Sequence, residues 1–130
     1  MKLALDTNTY RAFMEGAPFT VAAVREAEEL HLPVPVLADL RFGFAKGTKG
    51  KQNEAALLQF LDSPRVRVLD CDEATTHFYA QLKLQLTKQG TPIPINDVWI
   101  AALVLQHGAT LHTLDRDFES MPQLPRLGAT

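Results

Sequence analysis

Four aspartates stand where strands or helices are expected to begin or end, and each borders an apolar run of the chain. They are Asp6, Asp39, Asp97 and Asp115. Folding should carry all four to the rim of a hydrophobic layer. Carboxylates that share a pocket repel, by about 4 kcal/mol for two unit charges ~4 Å apart at an effective dielectric of 20. A fold accepts such a cluster where a hard divalent cation binds oxygen ligands. The pattern therefore indicates metal-dependent phosphate chemistry.

The composition is typical of a soluble globular protein. Of the 130 residues, 46% are hydrophobic and 22% are charged, which predicts one domain over residues 1–130 with a sizeable core. No apolar run approaches the ~20 residues that span a bilayer. An acidic residue also comes too early at the start of the chain for the apolar region of a secretory signal. The single Cys71 fits a reducing compartment. We therefore expect a cytoplasmic protein, with Cys71 as a small buried hydrophobe.

The net charge of −2 argues against a nucleic-acid partner, but the distribution of the charges does not. Setting aside the four aspartates, each counted as −1, leaves a net charge of +2. A basic stretch without any acid carries Arg41, Lys46, Lys49 and Lys51. Taken alone, this stretch fits a solvated surface as well as a phosphate-binding one.

Short apolar runs alternate with helical patterns along the whole chain. Strands are predicted at residues 2–5, 32–36, 66–69 and 110–113, and Pro33 and Pro35 should confine the second to an edge or shorten it. Helices are predicted at residues 10–15, 21–30, 36–46, 53–61 and 97–106 and after an Asp72 cap, with a loop at 46–50. This order predicts an α/β fold with helices flanking a mainly parallel central sheet of four or five short strands.

In a parallel sheet, functional groups collect at the carboxyl ends of the strands. Asp6 follows the first predicted strand and Asp115 the last, while Asp39 and Asp97 lie in helices that could line the same crevice. Each aspartate also has an ordinary interpretation as a helix cap, a turn residue or a solvated side chain. The four taken together favour a shared metal site.

Four motifs carry a resemblance to a known family. They are LDTN from residue 5, DLRFG from residue 39, NDVWIAA from residue 96 and TLDRDF from residue 113. In order and spacing they resemble the PIN-domain nucleases, most closely the VapC-type toxins of bacterial toxin–antitoxin pairs, over nearly the whole chain. The resemblance implies a PIN-like three-layer fold and a Mg²⁺- or Mn²⁺-dependent endoribonuclease that leaves a 5′-phosphate and a 3′-hydroxyl. It also implies a homodimer and a small antitoxin that holds the enzyme inactive.

The resemblance assigns roles to particular residues. It implies a catalytic set of Asp6, Asp39, Asp97 and Asp115, in which Asp6, Asp97 and Asp115 hold the metal. Asn8, Thr113 and Asp117 are expected to support that set, and Arg41, Lys46, Lys49 and Lys51 are predicted to contact RNA phosphates beside it. The family usually has Glu where this chain has Asp39, so we expect Asp39 to act through a water or its helix to sit closer.

Other functions remain open at this stage. A PIN fold that binds RNA or an antitoxin but has weak or no catalysis is the main alternative, because Asp39 replaces the usual Glu. A haloacid-dehalogenase-like phosphatase would need an acid two residues after Asp6, where this chain has Asn8. A PIN-type nuclease for structured DNA or ribosomal RNA maturation usually carries insertions that this chain lacks.

Overall fold

A computed structural model describes residues 1–128, which form one five-stranded, wholly parallel sheet in the order β3-β2-β1-β4-β5. The strands are β1 (Lys2–Leu5), β2 (Glu29–Pro33), β3 (Val66–Leu69), β4 (Thr110–His112) and β5 (Arg126–Leu127). From β1 the chain first adds strands on one side and then returns to add β4 and β5 on the other. The strand order therefore reverses between β1 and β4, where the carboxyl ends of the strands open a crevice.

Six helices flank the sheet within the described residues. They are α1 (Thr7–Met14), α2 (Pro18–Glu26), α3 (Val34–Lys46), α4 (Gly50–Leu61), α5 (Glu73–Gln89) and α6 (Ile95–Gln106). A 3₁₀ turn at Arg116–Ser120 follows β4. The predicted three-layer α/β fold with a parallel sheet is confirmed.

The core lies between β1, the central strand, and α6. Leu3, Ala4 and Leu5 of β1 have no exposed surface. Helix α6 is apolar almost all round, as a helix enclosed by protein must be, and its residues from 100 to 104 are all buried.

The structure corrects the predictions between residues 21 and 36. The helix predicted at 21–30 ends at Glu26, and Leu30 belongs to β2 instead. The strand predicted at 32–36, expected to lie at an edge or to be shortened by its prolines, is a central strand between β1 and β3 that ends early, at Pro33. Pro35 lies in the first turn of α3, where a helix needs no N–H donor. The prolines therefore mark the strand-to-helix junction and not a sheet edge.

Two smaller predictions also change. The loop predicted at 46–50 is shorter, since α3 ends at Lys46 and α4 begins at Gly50. Cys71 was expected to be buried but is exposed, because it lies in the turn between β3 and the Asp72 cap of α5. No helix among the described residues is long and apolar enough to cross a membrane.

Candidate active site

A pocket of about 490 Å³ opens at the crevice between β1 and β4. Its polar lining consists chiefly of Asp6, Asn8, Asp39, Asn96, Asp97 and Asp115. Asp6 follows β1, Asp115 follows β4, and α3 and α6 supply the others. The structure thus brings the four aspartates singled out in the sequence to one pocket, although they are spread over more than 100 residues of chain.

Asp6 is the most deeply buried carboxylate of the pocket, with 6% of its surface exposed. Its Oδ1 accepts hydrogen bonds from the backbone N–H and the hydroxyl of Thr9, each at 2.9 Å, which caps α1. Its Oδ2 accepts a 2.5 Å hydrogen bond from the Thr113 hydroxyl. A carboxylate can accept about four hydrogen bonds or metal contacts. Asp6 therefore caps a helix and still keeps acceptor capacity toward the pocket.

Thr113 connects the ends of β1 and β4. While its hydroxyl donates to Asp6, its oxygen accepts the backbone N–H of Asp115 at 3.0 Å. The Asp115 side chain in turn accepts the backbone N–H of Asp117 at 2.9 Å and caps the 3₁₀ turn. This chain of hydrogen bonds fixes the backbone at Asp115 relative to the Asp6 carboxylate.

The tightest group of carboxylates consists of Asp97, Asp115 and Asp117, with one oxygen from each lying within 4.8 Å of the others. This set differs from the expected metal ligands, which included Asp6 in place of Asp117. Asp117 was expected only to support the site. The 3₁₀ turn makes the difference, because it folds the side chain of Asp117 back beside Asp115. Asp6 lines the same pocket but lies outside this group.

The clustered carboxylates disfavour the charged form of Asp97. Burial, and then the negative charges of Asp115, Asp117, Asp6 and Asp39, raise the pKa of Asp97 to about 7. Within residues 1–128 none of these five carboxylates lies within 4.0 Å of a Lys, Arg or His nitrogen. A half-buried set of oxygen donors with no basic partner fits a hard divalent cation such as Mg²⁺ or Mn²⁺.

Asp39 stands apart from the tight group and has its own partners. Its Oδ1 accepts a 2.9 Å hydrogen bond from the Asn96 amide, and its Oδ2 lies 3.5 Å from the Thr7 hydroxyl. Asn96 was not among the predicted site residues. The only sequence signal for it was its place beside Asp97 at the start of a helix. Asn8, which was predicted to support the acidic site, lines the pocket and is exposed.

The four predicted RNA-binding residues lie outside the lining of the acidic pocket. Arg41 is engaged by Glu54 of α4 through hydrogen bonds of 3.1 and 2.9 Å. Lys46 lies over the ring of Phe42, 4.5 Å from its centroid. The stretch contains no acid in sequence, but folding brings Glu54 against it. The positive charge of Arg41 is therefore largely balanced, whereas the lysines make no ion pair with the described residues.

Comparisons with known proteins identify the family of this chain. The family model for the PIN domain matches residues 3–124. Ribonuclease VapC2 of Rickettsia felis is 34% identical over 90 residues, covering 68% of this chain and 66% of that protein. Ribonuclease VapC4 of Mycobacterium tuberculosis is 31% identical over 96 residues, covering 74% of each. The tRNA(fMet)-specific endonuclease VapC of Shigella flexneri is 30% identical over 125 residues, covering 92% of this chain and 91% of that protein.

Solved structures show the same fold. The crystal structure of VapBC2 from Rickettsia felis, bound to a DNA fragment from its promoter, contains a chain that superposes with a TM-score of 0.87 at 27% identity, covering 98% of both chains. A chain of VapBC-1 from nontypeable Haemophilus influenzae superposes with a TM-score of 0.87 at 28% identity, covering 99% of this chain and 98% of that one. This chain therefore belongs to the PIN domain family, and its curated relatives there are VapC ribonucleases.

Proposed function

We propose that this chain is a metal-dependent endoribonuclease that acts as the toxin of a toxin–antitoxin pair, with residues 1–130 forming one nuclease domain. The observation that carries the proposal is the convergence of Asp6, Asp39, Asp97 and Asp115 on one pocket, where burial and like charges raise the pKa of Asp97 to about 7. Such strongly perturbed carboxylates in a cleft mark functional sites. Membership of the PIN domain family and relatives named as ribonucleases support the same reaction class.

Several carboxylates would together bind Mg²⁺ or Mn²⁺. Asp97, Asp115 and Asp117 offer oxygens close enough to share one ion, and Asp6 offers its remaining acceptor capacity from the floor of the pocket. A bound divalent cation supplies neutralisation of the phosphate charge and a more acidic water. Asp97 gains most from such an ion, since without one its own ionisation is opposed by burial and by like charges.

The side chains of the pocket would also orient the reacting groups. The Thr113 hydroxyl fixes Asp6 relative to Asp115, so these carboxylates need no rearrangement when substrate arrives. Asp39, on α3, lines the same pocket but lies outside the tight group, and we expect it to act on the metal through a water. No Ser, Cys or His nucleophile is needed for hydrolysis to a 5′-phosphate and a 3′-hydroxyl.

The partners follow from the same family. Solved relatives are VapBC complexes, which supports a small antitoxin as the inhibitor of this chain. A homodimer and an RNA substrate in the cytoplasm complete the proposal. Light scattering of the purified chain, alone and with the product of an adjacent small reading frame, would measure both assemblies.

The function is tested by incubating the purified chain with total RNA in Mg²⁺, in Mn²⁺ and in EDTA. We expect cleavage with either metal, none in EDTA, and products whose 3′-hydroxyl ends can be extended by a poly(A) polymerase. Cleavage that persists in EDTA, or products with 2′,3′-cyclic phosphates, would refute the proposed chemistry. Mn²⁺ binding without cleavage of any RNA pool would favour the non-catalytic binding module.

Phosphate contacts outside the pocket can be tested through salt dependence. Replacing Lys46, Lys49 and Lys51 together by Ala should weaken RNA binding and flatten its salt dependence, because each phosphate contact to single-stranded nucleic acid contributes about 0.7 to the logarithmic slope. Replacing Arg41 should have a smaller effect, since Glu54 already balances its charge. Binding measured from 50 to 300 mM KCl gives the slopes. An unchanged slope in the triple variant would exclude these lysines as phosphate contacts.

A further inference from the structure

The carboxylate of Asp39 is held by a side chain from another element. The Asn96 amide nitrogen donates a 2.9 Å hydrogen bond to Asp39 Oδ1, and both side chains are partly buried. The two residues are 57 positions apart, one on α3 and the other in the first turn of α6. This is the shorter of the two hydrogen bonds that Asp39 accepts, since the Thr7 hydroxyl lies 3.5 Å from Oδ2.

Asp39 needs such a partner to stay where it is. Asp39 shares the pocket with Asp97 and two further carboxylates, and like charges in one pocket repel, which favours turning the Asp39 side chain out of the pocket. Asp39 is only partly buried, and a rotation about its side-chain bonds would turn the carboxylate toward solvent. A directed hydrogen bond from Asn96 opposes that rotation.

We propose that Asn96 is the positioning residue for Asp39, holding its carboxylate in the wall of the acidic pocket. The inference rests on the proposed nuclease function, because it assumes a divalent cation among the neighbouring aspartates. Asn96 does not itself belong to the metal group. It acts through Asp39, and it ties the wall formed by α3 to the start of the helix that carries Asp97.

The chemistry of an amide suits this position. A neutral side chain with a hydrogen-bond donor, such as an amide, can hold a carboxylate here without adding charge. An aspartate of the same shape would remove the donor and bring a further negative charge to a pocket that already carries several. The substitution Asn96→Asp therefore tests the donor itself, with little change in volume, and Asn96→Ala removes the side chain.

The experiment is a double-mutant cycle on wild type, Asn96→Ala, Asp39→Ala and the double variant. Mn²⁺ affinity is measured by water-proton relaxation, and kcat and KM by cleavage of a defined RNA. Thermal unfolding in EDTA reports the hydrogen bond without metal or RNA. Asn53→Ala is the matched control, because Asn53 is exposed on α4 and lies outside the pocket.

We expect Asn96→Ala to weaken Mn²⁺ binding and lower kcat about tenfold, as the loss of partners that orient metal-site carboxylates commonly does. KM should change less than about twofold. In the Asp39→Ala background the same substitution should have almost no further effect, since the group it positions is gone. Asn96→Asp should lose at least as much as Asn96→Ala, and Asn53→Ala should match wild type.

Equal losses in both backgrounds would overturn the proposal, because Asn96 would then act on something other than Asp39. The proposal would also be overturned if the substitutions at Asn96 and Asp39 were coupled in thermal unfolding but not in Mn²⁺ affinity or kcat. The hydrogen bond would then be a structural contact only. Wild-type protein that binds Mn²⁺ but cuts no RNA would refute the nuclease function. The double-mutant cycle in Mn²⁺ affinity would then still test the positioning role of Asn96. Wild-type protein that binds no Mn²⁺ would refute the positioning role.

Discussion

Asp97→Asn is expected to abolish cleavage and, in EDTA at pH 8, to make the protein more stable than wild type. Loss of residues that only orient metal ligands costs about 10–100-fold in activity, so removal of a ligand should cost at least about 100-fold. The gain in stability has a separate cause. At pH 8 the wild-type Asp97 is ionised beside several other carboxylates, and an amide of the same shape removes that repulsion.

The pKa of Asp97 fixes the sign of this effect. Folding raises it from 3.8 to about 7, so between these values the folded chain binds the proton more tightly than the unfolded chain does. The contribution of Asp97 to stability therefore falls as the pH rises through this window, and the penalty is fully developed above pH 7. Asn cannot ionise, so the advantage of the variant should grow from pH 4 to pH 7 and then level off.

The size of the effect is modest because Asp97 is only partly buried. One pKa unit corresponds to about 1.36 kcal/mol, but solvent screening of a half-exposed group reduces the full shift to about 1 kcal/mol. That corresponds to about 3–5 °C in melting temperature for a chain of this length. Thermal unfolding in EDTA at pH 4.5, 6 and 8 measures it. Asp70→Asn, in the exposed turn after β3, is the control that should show no pH-dependent difference.

Added Mg²⁺ should reverse the order of stability. A ligand that binds only the folded state stabilises it in proportion to its affinity, and wild type has the fuller set of carboxylates. Wild type should therefore melt higher than Asp97→Asn in saturating Mg²⁺. If the variant is less stable than wild type in EDTA at pH 8, or retains full cleavage, Asp97 is not the repelled ligand that the pocket geometry implies.

The sequence predicted the parts of this site that depend on local pattern. Asp6 and Asp115 follow apolar runs, and the alternation of strands and helices was sufficient to place both at the same edge of a parallel sheet. The helix carrying Asp97 is apolar almost all round, which is typical of a central helix, and its burial agrees. Periodicity and chain order are local properties, so a single sequence expresses them directly.

The parts that the sequence did not predict depend on contacts between distant elements or on an irregular turn. The hydrogen bond from Asn96 to Asp39 joins two helices and has no local signature. Asp117 enters the tight carboxylate group because it lies in the 3₁₀ turn that follows Asp115, and the sequence pattern did not predict that turn. Pro33 and Pro35 were expected to place their strand at an edge or to shorten it, and the structure shows a central strand that ends at Pro33.

Thr113→Val is expected to damage both stability and cleavage, because one hydroxyl connects two carboxylate-bearing segments. Valine keeps the shape of the side chain but removes the 2.5 Å bond to Asp6 and the 3.0 Å bond from the Asp115 backbone. Thr113 and Asp6 are both buried, so the partners left behind lose hydrogen bonds that water replaces poorly. A lost hydrogen bond to a charged group costs about 1.5–3 kcal/mol.

We therefore expect Thr113→Val to lower the free energy of unfolding by about 2 kcal/mol and to lower kcat by about 10–100-fold. Thr113→Ser keeps the hydroxyl and should recover most of both losses. Thr110→Val, at the other end of β4, changes the same atoms outside the pocket and is the matched control. Urea unfolding and single-turnover cleavage measure the two quantities. If valine reduces stability but leaves kcat unchanged, the hydroxyl supports only the fold and the carboxylates keep their positions without it.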